Sequence, residues 1–117
     1  MPEIAVQTDQ SRYLETLLNL YLSLPETPSQ ASPSDIRLAR GLYQQRITIE
    51  TVEAALLLAS VRRLFRDPSL PPLLPIRSFN YFLPVISEIS ANPLPQGYLH
   101  YLRYKLESYV TRNRASN

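Results

Sequence analysis

Residues 48–66 read T-I-E-T-V-E-A-A-L-L-L-A-S-V-R-R-L-F-R, and this stretch decides the fold. Thr48 is a helix-cap residue. Glu50 and Glu53 follow in the first turns, and Arg62, Arg63 and Arg66 close the last, the charge order a helix macrodipole favours. Between those ends the helix is apolar on most sides. Ala54, Leu57, Leu58, Val61, Leu64 and Phe65 share one face, and Val52, Leu56 and Ala59 another. A helix apolar all round belongs at the centre of its neighbours, so the rest of the chain must be arranged about this segment.

Working outward, helices dominate, because no apolar/polar alternation persists long enough for a sheet. Upstream, a helix from about Ser11 to Leu24 carries Leu14, Leu17, Leu18 and Tyr21 as one stripe, and Pro25 ends it. A polar, Pro-rich loop follows from Pro25 to Ala31. Ser32 then caps a second helix, with Pro33 at its first position and Asp35 three residues after the cap, as in a capping box. Ile36, Ala39, Leu42 and Tyr43 face inward there, while Arg37, Arg40 and Gln44 lie on another face. Downstream, D-P-S-L-P-P-L-L-P over 67–75 cannot be helical. Being apolar as well as Pro-rich, it is expected to lie extended along the surface. A fourth helix covers Phe79 to about Ser90, and Pro84 inside it should kink it or leave its first turn irregular. A connector at 92–95 leads to a fifth helix from about Gln96 to Arg112. The expectation is an all-α fold: a single compact five-helix bundle spanning 1–117, with a Pro-rich surface strap and frayed ends at 1–9 and 113–117.

The chain has 117 residues and a formal charge of +2. It has no cysteine and one histidine, which excludes disulfide scaffolds, Cys-based zinc sites and a Cys nucleophile. At 44% apolar and 19% charged it can bury a core. No signal peptide is expected at Met1–Ala5, and the longest apolar run, Ala54–Ala59, is far short of the ~20 residues that span a bilayer. The expectation is a cytoplasmic protein with no membrane partner.

The small net charge hides an asymmetry. Residues 1–35 carry one Arg against five acids, whereas 36–117 carry eleven Lys+Arg, ten of them Arg, against five acids. Arginine is the residue of choice for phosphate and for buried carboxylates. No Gly-rich phosphate loop, HExxH, GxSxG or metal-ligand spacing is present, and His100 sits opposite the Leu99/Leu102/Leu106/Val110 stripe of the fifth helix. No catalytic, metal or cofactor site is therefore expected, and the protein is read as non-enzymatic. The 32–66 region looks superficially like a helix-turn-helix. A recognition helix needs outward polar side chains, however, and 48–66 offers leucines and alanines.

Three basic groupings remain. Arg62, Arg63 and Arg66, joined by Arg77 across the strap, would contact phosphate, or would merely complement the helix dipole. Arg37 and Arg40 form a second grouping. Lys105, Arg112 and Arg114 form a third. Tyr98 and Tyr101 lie along the same flank of the fifth helix as Lys105, where rings could stack on bases or simply border the core.

The segments I-T-I-E-T-V-E-A-A-L-L-L-A-S-V-R-R-L and, after the Pro-rich gap, P-I-R-S-F-N-Y-F-L-P-V-I resemble small bacterial modules associated with replication initiation on plasmids, phages and other mobile elements. Those modules are similar in spirit to the primosomal DnaD-type domain. The chain departs from that domain's Y-x-x-x-I-x-x-x-W element, since Val85 follows Tyr81 by four and there is no Trp. The resemblance implies DNA binding and a helicase loader or initiator as protein partner. Two main function classes follow: an accessory DNA-binding protein contacting phosphates through arginines, or a protein–protein adapter or homodimer using the apolar helix 48–66 and the strap 68–75. An inhibitor that blocks a partner is a third. The first class requires the guanidinium surplus to gather on one outward surface. If carboxylates and carbonyls occupy most of those groups instead, the adapter is what survives.

Overall fold

In the computed structural model, which describes the backbone of residues 2–116 and the side chains of 9–112, the chain forms five α-helices and one 3-10 turn. These are α1 (Pro2–Leu22), α2 (Pro33–Gln44), α3 (Ile49–Leu64), the 3-10 turn Phe79–Phe82, α4 (Leu83–Ala91) and α5 (Tyr98–Ser116), with no strand among the described residues. The all-α bundle expected from the sequence is the observed architecture. α1 begins at Pro2 rather than near Ser11, and α5 continues beyond Arg112. Fraying is expected from the sequence at 1–9 and 113–117, but the backbone is helical over 2–9 and 113–116, while Met1 and Asn117 lie outside the described residues.

α3 is the hub. Val52, every residue from Ala54 to Ser60, and Arg63 are buried. α3 packs against α1, α4, α5 and the 3-10 turn, while α2 lies on α1. Its middle therefore has no face with which to read a DNA groove. α1 contributes Leu17 and Tyr21, both fully buried, to the same core as Phe79, Phe82 and Ile86. Tyr21 meets two of these rings edge-on, lying 5.3 Å from Phe79 and 5.8 Å from Phe82. α5 leans mainly on α3 and fully buries only Leu102 among its described residues, leaving Leu99, Leu106 and Val110 half-exposed. The body is accordingly long, 54 × 31 × 24 Å.

Local signals explain the element ends. The capping box is present: the Asp35 N–H donates to Ser32 Oγ and the Ser32 N–H to Asp35 Oδ2, both at 3.0 Å. α2 stops in a Schellman motif. Arg46 takes a left-handed φ of 63°, its N–H donates to Tyr43 O, and the Ile47 N–H reaches back to Leu42 O. Glycine usually fills that position because it bears no Cβ. Pro84 lies in the first turn of α4, where its missing N–H costs nothing, and the preceding turn tightens to 3-10.

Burial pushes the Tyr21 phenol up to about 12, with a further push from the Asp35 charge, and burial pushes Tyr13 to about 12 as well. The unfolded chain releases these protons near 10.0, so the folded state holds more protons between the two values. The stability they contribute is complete below pH 10 and is lost as pH rises toward 12. The Tyr21 hydroxyl also makes no hydrogen bond to any described residue. Tyr21→Phe is therefore expected to fold at neutral pH with stability within about 1 kcal/mol of the parent. It should also lose part of the parent's decline between pH 10 and 12. Melting curves across that range check both points, and an unchanged alkaline slope would refute the second.

Candidate functional site, a clamped proline-rich strap

Residues 67–76 join α3 to the 3-10 turn without regular structure. Pro68, Pro71, Pro72 and Pro75 have no N–H to donate, so the segment cannot tie itself together. Asp67 opens it with a local turn, accepting from the Ser69 N–H at 2.9 Å and its hydroxyl at 2.8 Å. Beyond that, the strap is held from outside. Arg66 Nη1 donates to the Pro71 carbonyl at 2.6 Å, and Arg63 Nη2 donates to the Leu74 carbonyl. The Ile76 N–H donates to Glu26 O at 2.9 Å, and the Phe79 N–H to Asp35 Oδ1 at 2.9 Å.

Arg63 is the central clamp. Only 4% of its side chain is exposed. Its Nη2 also donates to Glu26 Oε1 at 2.9 Å, and its guanidinium sits 5.4 Å from the centre of the Tyr81 ring. Burial alone would pull its pKa down. Hydrogen bonds to Tyr81 and Glu26, with the Glu26 charge, outweigh that and raise it, so the cation is secure. Glu26 meets Arg63 with a left-handed φ of 66°, strained for a residue with a Cβ, while its carbonyl accepts from Ile76.

With the Pro71 and Leu74 carbonyls held by arginines, the strap shows its side chains to solvent. Leu74 is 76% exposed, Leu70 47% and Leu73 44%. Phe65, at the end of α3, adds a partly exposed ring that packs edge-on against Tyr109 at 5.8 Å.

Of the expected arginine patch, Arg62, Arg63 and Arg66 border one cleft, but each is engaged by an acceptor of this chain. Arg62 is bound fork-to-fork by Glu88 of α4 at 2.9 and 2.7 Å, a pairing that raises its pKa and lowers that of Glu88. Arg63 and Arg66 are spent on the strap. Of that quartet only Arg77 is exposed without an ion pair to a described residue. The physical reason is proximity: α4, the 25–31 loop and the strap all converge on the C-terminal end of α3, and their acceptors reach the guanidinium groups first.

On α5, Tyr98 and Tyr101 are exposed with ring centres 5.6 Å apart, beside an exposed His100. Lys105 is turned back over the Phe65 ring at 4.1 Å. Arg112 is exposed near the end of the described side chains, and Arg114 lies outside them. Arg37 and Arg40 stay on the outward face of α2 with no ion pair to a described residue, and so does Arg46 at its exit.

Sequence reading missed Glu26, Glu88 and the Glu53–Arg103 pair, at 2.9 Å between α3 and α5. It also missed the second role of Asp35. These partners lie far apart in the chain, and no local pattern marks them.

Among the described residues no group of three or more His, Asp or Glu side chains is placed to hold a metal, and no helix is long and apolar enough to cross a membrane. The clefts beside the strap are shallow and open. The molecule is thus an all-α bundle whose distinctive surface is a clamped loop rather than a pocket. No protein-family model, curated protein or solved structure matches the chain.

Proposed function

We propose that this protein is a non-enzymatic protein-binding adapter whose contact surface is the strap 67–76. One observation carries the reading: three leucines stand exposed on a backbone that the fold's own arginines hold still. Apolar side chains gathered on a fixed surface mark interaction sites, and fixing them beforehand lowers the ordering cost of association. The pairing of Arg62, Arg63, Arg66 and Arg103 with acceptors of this chain supports an adapter over a phosphate-binding face there. α3, named with the strap as an adapter surface, is occupied in the core, so the strap carries the reading alone.

Leu73→Asp/Leu74→Asp tests it. Both side chains are exposed, so the double variant should melt within a few degrees of the parent, surface changes costing about 0.5 kcal/mol or less. A partner retained stoichiometrically by the immobilised parent from an extract of the source cells should be lost. Identical retention by parent and variant would move the contact surface elsewhere.

A second reading is favoured by one observation, the outward Arg37, Arg40 and Arg46 around α2, whose single acid, Asp35, is buried. They would contact the phosphates of a nucleic acid, with affinity falling steeply with salt. Titration of random duplex and single-stranded DNA at low and high salt, with Arg37→Ala/Arg40→Ala as control, tests it. Absence of binding at low salt rejects it.

A further inference from the structure

We infer that the strap is a polyproline-II ligand, received by a partner's groove lined with aromatic side chains and bearing a carboxylate at one end for Arg77. The inference rests on the adapter reading and gives its partner a chemistry. Residues 71–77 read P-P-L-L-P-I-R. The three prolines fix φ near about −65°, and the residues before them (Leu70, Pro71 and Leu74) are pushed to extended backbone. A polyproline-II helix turns once in about three residues, so the segment has three edges: 70/73/76, 71/74/77 and 72/75.

Residues 67–75 and Arg77 are exposed, and Ile76 between them is buried. On the first edge only Ile76, 5% exposed, is turned to the bundle, while Leu70 and Leu73 are exposed. On the second, Leu74 is the most exposed large apolar side chain described, and Pro71 and Arg77 are exposed with it. On the third, Pro72 and Pro75 are exposed. The outward edges therefore offer two adjacent pairs, Pro71-Pro72 and Leu74-Pro75, followed by a cation with no ion-pair partner among the described residues. Aromatic grooves that recognise P-x-x-P segments take a ligand of this form, and the unpaired Arg77 calls for an opposite charge beside the groove.

The clamps match the same period. Arg63 and Arg66 are three residues apart, and so are the carbonyls they hold, Leu74 and Pro71. The strap is thereby fixed before it meets a partner. This favours a groove over a flat apolar face, because a groove reads backbone conformation as well as side chains.

The experiment titrates the full-length protein with a purified SH3-type domain that takes P-x-x-P-x-R peptides, followed by calorimetry. Saturable binding is expected. Pro75→Ala and Arg77→Glu should each weaken it by about tenfold, with Gln44→Ala, exposed on α2, leaving it unchanged. Melting curves of each variant confirm that the fold persists, and Arg77, exposed and unpaired, keeps the test valid if Pro75→Ala disturbs the strap. The inference is overturned if the parent does not bind the domain, or if the two variants bind as the parent does. It is also overturned if light scattering shows a dimer of this chain that Leu74→Asp dissolves while the domain is ignored. Loss of the captured cellular partner on Leu73→Asp/Leu74→Asp, but not on Pro75→Ala or Arg77→Glu, would leave the adapter reading standing and reject this one.

Discussion

Replacing Asp35 with alanine should destabilise the protein by about 4 kcal/mol, the largest single effect expected from any polar residue here. The side chain is 1% exposed, and both its oxygens are used. Oδ2 accepts from the Ser32 N–H and completes the cap of α2, while Oδ1 accepts from the Phe79 N–H at the start of the 3-10 turn. Alanine would remove two hydrogen bonds to a charged group, roughly 1.5–3 kcal/mol each, and would leave the Phe79 N–H unpaired in a buried setting. Asp35→Asn retains one acceptor oxygen and should lose about half as much. Urea unfolding followed by circular dichroism measures both. A loss under about 1 kcal/mol for Asp35→Ala would mean that water replaces the carboxylate, and that the tie to Phe79 is incidental.

Arg63→Ala should cost about 3 kcal/mol and free the strap at the same time. Hydrogen bonds to charged groups contribute about 1.5–3 kcal/mol each, and Arg63 donates to both Glu26 and the Leu74 carbonyl. The loss is smaller than for a fully interior ion pair because the Glu26 side chain, 38% exposed, can be rehydrated. Arg62→Ala is the control. Its pairing with Glu88 is out in solvent, where such pairs contribute about 1 kcal/mol or less. Limited proteolysis should cut the Arg63→Ala variant within 67–76 well before the parent or Arg62→Ala. Equal cutting of all three would show that the prolines alone hold the strap, without the clamp.

Much of this architecture was legible in the chain because its causes are local. Ser32, Pro33 and Asp35 spell a capping box within four residues, and Thr48 caps α3 within the same span. The all-round apolarity of 52–59 announces a central helix, and Pro84 announces the irregular turn that precedes α4. The fate of the arginines was not legible. Arg62, Arg63 and Arg66 are near neighbours in sequence with three different destinies: a carboxylate on α4, an interior clamp and a strap carbonyl. Charge count and helix dipole treat them alike. Only the approach of Glu26, Glu88 and the strap, 5 to 37 residues away, separates them. Asp35 shows the same divide: its cap role is written three residues away, its tie to Phe79 forty-four.

Those long spans also set an order of events on the ribosome. Glu26 and Asp35 emerge well before Arg63 and Phe79, which they must meet. α1 and α2 can pair while the remainder is still being made, but the leucine-bearing loop lacks its downstream anchor until the Phe79 turn has appeared and met Asp35. A chain arrested before residue 79 would therefore carry the same leucines on a loop without that downstream tie, and a partner that requires the fully anchored form would bind it less well. Recognition of this surface would then report a finished molecule.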